Sequence, residues 1–207
     1  MIEAAAVDQR RFAVTDGEIA VTNLVSARRR SWDRFLADPR LPGAAERIVE
    51  EEQLALEFTG DTSALDRLDV LAQTLAGLDG TSARTALVQA QVASAAHRFA
   101  DARRHLVDAR LRGAPVHEVE RLVLTVDHAC GYRMNAVLEG RRRRAAASGS
   151  LAELVPLGAA LADLDRVDEA AEAYQAALAS YDDVSPFPLA WTSFQLGLLW
   201  GELAQET

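Results

Sequence analysis

The stretch Arg-Val-Asp-Glu-Ala-Ala-Glu-Ala-Tyr-Gln-Ala-Ala-Leu-Ala-Ser-Tyr, residues 166–181, decides how this chain is read. A weaker copy lies 68 residues upstream, Arg-Phe-Ala-Asp-Ala-Arg-Arg-His-Leu-Val-Asp-Ala at 98–109. Aligned, Phe99 meets Val167, Asp101 meets Glu169, Ala102 meets Ala170, Leu106 meets Tyr174 and Ala109 meets Ala177. A separation of 68 is two periods of about 34 residues, the length of a two-helix repeat unit.

Outward from that stretch the pattern is helical. Apolar residues recur at spacings of three and four: Ile48, Leu54 and Phe58; Leu65, Leu68, Leu71 and Leu75; Leu87 and Val92. The spacing predicts helices over 21–37, 43–58, 63–77, 82–96, 99–112, 116–129, 133–147, 151–164, 167–181 and 187–204. Breaks fall between them at Pro42-Gly43, Gly60-Asp61, Asp79-Gly80, Gly113-Ala114-Pro115, Gly149 and Ser185-Pro186. Ser150-Leu-Ala-Glu153 reads as a capping box. Asp165 and Asp168 place acids at the start of the following helix, where the helix dipole favours them. No strand alternates with the helices, so a parallel α/β sheet is excluded and the class is all-α, about ten helices. The period favours an open stack of antiparallel hairpins over a closed bundle. The first twenty residues differ. Arg11–Thr22 alternates around Asp16-Gly17, a hairpin signal. A lone hairpin is marginal in water, so residues 1–20 read as a hairpin or an extended, disordered leader, and 21–207 as the helical domain.

Composition narrows the function classes. The chain has 207 residues and a net charge of −9. Acidity argues against nucleic acid and anionic membrane as partners. No run of eighteen apolar residues exists, so no span is expected. Met1–Arg11 lacks the basic-then-apolar order of a secretory signal, which points to the cytoplasm if this is the natural start. All 22 basic residues are arginine, and alanine is abundant, an association with GC-rich bacterial genomes. The lone Cys130 allows no internal disulfide.

The two alanine-rich stretches resemble tetratricopeptide repeats. In that family the first helix of each hairpin carries Trp-x-x-Leu-Gly-x-x-Tyr; the second carries a small residue, an aromatic four later, then Ala. In 151–184, Leu154, Leu157, Gly158 and Leu161 match the first helix and Ala170, Tyr174 and Ala177 the second. In 83–116, Ala86, Ala90, Phe99, Ala102, Leu106, Ala109 and Pro115 match. Residues 117–150 are degenerate: Ala136 is in register, but Gly140 replaces the aromatic and arginines fill 141–144. Residues 187–207 give a partial repeat, with Leu196-Gly197 and then Trp200. Residues 43–77 show only periodicity around Gly60-Asp61. Pro156 departs from the pattern and requires a late start or a bend. The resemblance implies a right-handed superhelical stack whose first helices line a concave groove.

Catalytic signatures are missing from the sequence: no Gly-x-Gly-x-x-Gly, Walker loop, His-Glu-x-x-His or Gly-x-Ser-x-Gly. His97, His105, His117 and His128 have no metal-ligand spacing with Cys130. The expectation is surface or half-buried histidines, a buried structural cysteine, no metal and no cofactor. Arg141–Arg144 reads as a solvated helix C-terminus, with an RNA or phosphate patch as the alternative; Arg28–Arg30 reads the same way. Glu50–Glu52 reads as an exposed face. In the last helix Leu196, Trp200 and Leu203 are expected inward and Trp191, Phe194 and Leu198 outward. An uncovered terminal face predicts a partner, a homodimer through the C-terminal helix, or a chain cut from a longer array.

Carrying the family's groove positions over gives Arg84, Gln91, Ser94, Arg121, Thr125, His128, Val155, Trp191, Phe194 and Leu198 as candidate partner-binding residues. The first half is polar and slightly basic, the second apolar, which suits an extended peptide with an acidic part and a hydrophobic anchor. The family's lysine and asparagine carboxylate clamp does not fit, because the chain has no lysine and only Asn23 and Asn135. The expected function is a non-catalytic scaffold for a protein or peptide. The alternative is a ligand- or peptide-sensing regulatory domain using the same groove.

Overall fold

The computed structural model describes residues 13–205, with side chains through Gly201. These form ten α-helices: α1 Gly17–Ala37, α2 Ala44–Thr59, α3 Ser63–Asp79, α4 Ala83–Ala95, α5 Phe99–Leu111, α6 Val116–Ala129, α7 Met134–Ser148, α8 Leu151–Ala162, α9 Val167–Ala179 and α10 Pro186–Gln205. Among the described residues there is no strand. Every helix anticipated from periodicity is present.

The Asp16-Gly17 hairpin is not formed. Asp16 is the N-cap of α1, its Oδ1 accepting from the Glu18 and Ile19 amides at 2.9 and 3.3 Å. An Asp at a chain reversal and an Asp at a helix start satisfy the same need for an acceptor. The helix wins because it buries Ala20 and Leu24, and a two-stranded ribbon has no sheet to join. Residues 17–20 thus belong to the helical domain, residues 13–16 lead into it, and residues 1–12 of the expected leader lie outside the described residues. The Ser150–Glu153 capping box is also not formed. Ser150 makes no side-chain cap bond, and Glu153 turns to Arg144 instead. α8 begins at Leu151 and contains Pro156, which rules out the late start. Pro156 has no N–H to donate to the Ala152 carbonyl, which belongs to an exposed residue open to solvent.

The hairpins α4–α5, α6–α7 and α8–α9 close by one and the same turn. His97, Gly131 and Asp165 take left-handed φ values of 56°, 60° and 58°. The next amides, Arg98, Tyr132 and Arg166, donate to Ala93, Asp127 and Leu161 carbonyls at 2.8, 2.8 and 2.9 Å. This six-to-one bond is a Schellman closure, and it recurs every 34 residues, at 97, 131 and 165. Residues 117–150, degenerate in sequence, are therefore a complete structural unit. The α2–α3 hairpin closes at Gly60, outside that register.

The packing inside these units follows a volume swap. In 151–184 the first helix is small at Gly158, and Tyr174 of the second fills the space. A Cβ on Gly158 would stand 2.7 Å from Tyr174 Cε1. One period earlier the sizes invert: Leu124 is large, and a Cβ on Gly140 would stand 2.7 Å from its Cδ2. One period earlier again the pair is Ala90 and Leu106, both buried. Interiors are close-packed, so a large residue on one helix demands a small one opposite.

Beyond chain neighbours, α2 packs on α4, α4 on α6, and α8 on α10, so the even-numbered helices neighbour one another except at one step. That step, α6 to α8, is bridged by His128 Nε2, 2.8 Å from Asp163 Oδ2. α4 is central, packed by α2, α3, α5 and α6, and seven of its thirteen residues are buried. The core is a series of local clusters: Phe35, Ile48, Leu68, Leu71 and Val88 first; Ala86, Ala90, Ala102, Leu106 and Val126 next; Leu138, Leu161, Tyr174, Leu178 and Leu196 last. A fourth cluster joins the two ends. Ala20, Leu24 and Ala55 of α1 and α2 pack with Phe187 of α10. Phe58 and Phe187 have ring centroids 4.9 Å apart, and the Thr15 amide donates to Val184 O at 2.8 Å. The expected open stack thus has its first and last helices in contact.

Candidate interaction site

A polar cleft of about 170 Å³ lies between α2, α4 and α6. α4 contributes Gln91 and Ser94; α6 contributes Arg121, Leu122 and Thr125. Four of the ten residues expected at the groove therefore meet in one place. The α2 wall was not anticipated: Glu46, Val49, Glu50 and Gln53 complete the cleft. Their positions i, i+3, i+4 and i+7 put them on one face of α2, beside the buried stripe Ala45, Ile48, Glu52 and Ala55, with the buried Val49 at the border. That spacing was visible, but the repeat motif stops short of α2.

The other six candidates lie elsewhere. Arg84 is a strut, with Nε and Nη2 on the Glu46 carboxylate at 2.8 and 3.0 Å and Nη2 also on Leu41 O at 2.9 Å. It pins the α1–α2 loop, and its charge is cancelled. His128 is held against Asp163. Val155 is half-buried against the last core cluster. Trp191, Phe194 and Leu198 are exposed together on α10, with Trp191 and Phe194 ring centroids 6.1 Å apart. Trp200, expected inward, is also exposed, and Leu199 takes its place beside Leu196. The slightly basic half-groove is corrected accordingly: Glu50 faces Arg121 across the cleft, and the mixture is acid and base. Gln91 Oε1 is buried there with no hydrogen-bond partner, an acceptor without a donor.

Glu50–Glu52 is not an exposed face. Only Glu50 is exposed; Glu51 and Glu52 are buried. Glu52 is the centre of a charge network. Arg67 grips it through Nε and Nη2 at 2.9 and 2.7 Å, Arg28 Nη2 donates at 2.7 Å, and Trp32 Nε1 at 2.8 Å. Asp61 Oδ2 accepts from the same two arginines at 2.9 and 2.7 Å. Burial alone would raise the Glu52 pKa, but the donors from Arg67, Trp32 and Arg28 outweigh it and hold it below the ordinary range. Hydrogen bonds from Ser63, Arg67 and Arg28 lower Asp61. Two carboxylates held ionised in this way cannot act as proton donors at neutral pH, and the network ties α1, α2 and α3 together.

The Arg141–Arg144 run is not a solvated C-terminus, since α7 continues to Ser148. Arg142 meets Glu169 at 3.0 Å, Arg143 meets Glu120 at 3.3 Å, and Arg144 takes Glu153 bidentately at 2.8 and 2.6 Å. Arg141 is buried. Its Nη2 donates to Thr125 Oγ1 at 2.9 Å, its Nε has no partner, and burial depresses its pKa to about 10. Cys130, expected buried, is exposed at the end of α6. Among the described residues no group of His, Cys, Asp and Glu could hold a metal ion, and no helix is long and apolar enough to cross a membrane.

Comparison with protein-family models, curated proteins and solved structures finds no match to this chain.

Proposed function

We propose that the protein is a non-catalytic scaffold of tetratricopeptide-like hairpins that binds an extended peptide or partner segment along its even-numbered helices. The observation that carries this reading is the α2–α4–α6 cleft, where three first helices bring an unpartnered acceptor, a free arginine and a glutamate to one polar surface. A peptide N–H would satisfy Gln91 Oε1, an acidic side chain would pair with Arg121, and a basic one with Glu50. The apolar triplet Trp191, Phe194 and Leu198 would anchor a hydrophobic residue of the partner or of a second copy. The identical turns at 97, 131 and 165 and the volume swap support the repeat assignment; the right-handed superhelix and concave groove follow from it.

The test is capture of partner from a lysate, followed by anisotropy with the peptide segment identified. Arg121→Ala and Trp191→Ala should each abolish capture and leave far-UV helicity unchanged. Both side chains are exposed, so neither truncation should disturb the core. Full capture by both variants overturns the reading.

A further inference from the structure

A second concavity lies on the other side of α2. It is a pocket of about 460 Å³ between α1, α2 and the loop joining them, a size that accepts a small metabolite. Three arginines line it, Arg30 and Arg34 from α1 and Arg47 from α2, against one carboxylate, Glu51. In a chain of net charge −9 this is a local excess of positive charge. Arg47 is engaged, its Nε donating to Glu51 Oε1 at 2.8 Å. Among the described residues Arg30 and Arg34 have no ion pair and no hydrogen bond from their guanidinium groups. Arg34 suits the last turn of α1, but Arg30 sits a full turn earlier, beyond the reach of that end's dipole.

Two further features point to a ligand. α2 begins at the pocket rim, at Gly43 and Ala44, with no side-chain cap. Ala44 and Arg47 amides reach the Leu41 and Gly43 carbonyls, and the positive end of the α2 dipole stays without a side-chain cap at the rim. Independently, Glu51 is only 4% exposed, lines the pocket, and its Oε2 has no hydrogen-bond partner. A buried carboxylate oxygen without a donor is costly unless a ligand supplies one.

We propose that this pocket binds a small phosphomonoester bearing a free hydroxyl, its phosphate held by Arg30, Arg34 and the start of α2 and its hydroxyl donating to Glu51. Two unpaired guanidinium groups and a helix N-terminus match a dianion better than a single carboxylate. The Glu51 acceptor distinguishes a hydroxylated ester from bare phosphate. The site uses the opposite face of α2 from the cleft and does not depend on the scaffold reading.

The experiment is calorimetric titration of the full chain with glycerol 3-phosphate, inorganic phosphate, glycerol and citrate, with melting temperature as a second readout. Glycerol 3-phosphate should bind saturably and raise the melting temperature by mass action. Inorganic phosphate should bind more weakly, and glycerol and citrate not measurably. Arg30→Gln and Arg34→Gln, both surface changes, should each weaken glycerol 3-phosphate about tenfold or more with the ligand-free melting temperature unchanged. Glu51→Gln should erase the preference for glycerol 3-phosphate over inorganic phosphate. Absence of saturable glycerol 3-phosphate binding, binding undiminished by Arg30→Gln and Arg34→Gln, or a preference for citrate overturns the proposal. Because Arg121→Ala and Trp191→Ala leave this pocket intact, its failure and that of the scaffold reading are separable.

Discussion

A methyl group on Gly158 would collide with the ring of Tyr174, which is 1% exposed and cannot swing away. Gly158→Ala should therefore lower stability by about 1–3 kcal/mol, measured by urea unfolding, although Ala is the better helix former. The inverted pair gives a sharper test. Gly140→Tyr alone should overpack against Leu124; Leu124→Gly alone should leave a void. The double variant recreates the size order of the following unit and should recover part of the loss. Strict additivity would show that the two units do not pack in one register. The charge network supplies a second prediction. Glu52 and Asp61 have lowered folded pKa values, so the native state binds fewer protons than the unfolded chain. Their contribution is complete above the unfolded carboxylate values of about 3.9–4.3 and is lost as pH falls below them. The network's share of the melting temperature should stay level from neutrality to about pH 5 and drop steeply below about pH 4. Glu52→Gln should cost about 3 kcal/mol at pH 7, because it strands the half-buried guanidinium charges of Arg28 and Arg67, and should flatten the acid limb of the curve. An unchanged acid limb would mean that other carboxylates govern it.

Helices were legible where an apolar stripe runs against polar punctuation, which is why all ten segments match. What failed was the meaning of polar residues whose partners lie on another helix. Asp16 could begin a turn or cap a helix; only the burial of Ala20 and Leu24 decides it. Ser150 and Glu153 have capping-box spacing, yet Arg144 from α7 captures the glutamate. Glu52 stands on the buried stripe of α2, and a charge in that register signals a partner such as Arg28, one turn before Trp32 on α1. That signal lies in the sequence, but without its partners on α1 and α3 Glu52 is indistinguishable from a surface glutamate. The repeated turn was hidden for another reason: His97, Gly131 and Asp165 share a backbone conformation and no side-chain chemistry. At the candidate site the polar residues of α4 and α6 were legible through the repeat register. The α2 wall and the diversion of Arg84 to Glu46 required the fold. Asp16→Ala tests the corrected N-terminus: it should cost about 1 kcal/mol and speed amide exchange at Glu18 and Ile19. A variant as stable as the parent, with those amides unchanged, would remove Asp16 as the cap.

At the scale of the whole molecule, the contact of the first hairpin, α1 and α2, with the last helix is the feature that no local pattern announces, because Phe58 and Phe187 are 129 positions apart. A linear repeat array has only neighbour contacts, so its end helices should fray independently. Contact between the ends changes that expectation, since the burial of Phe187 with Ala20, Leu24 and Ala55 couples α10 to α1 and α2. The coupling is measurable by a double-mutant cycle. Phe187→Ala should cost about 3 kcal/mol and Phe58→Ala somewhat less, as Phe58 is only half-buried. If the rings meet in solution, the double variant should cost less than the sum by about 1 kcal/mol, the value of an aromatic pair beyond its buried area. Hydrogen exchange should then report the loss at both ends: either single variant should speed exchange in the first turn of α10 and in α1 together. Additive costs, with exchange changed only on the mutated side, would show that the ends do not associate and that the stack is open.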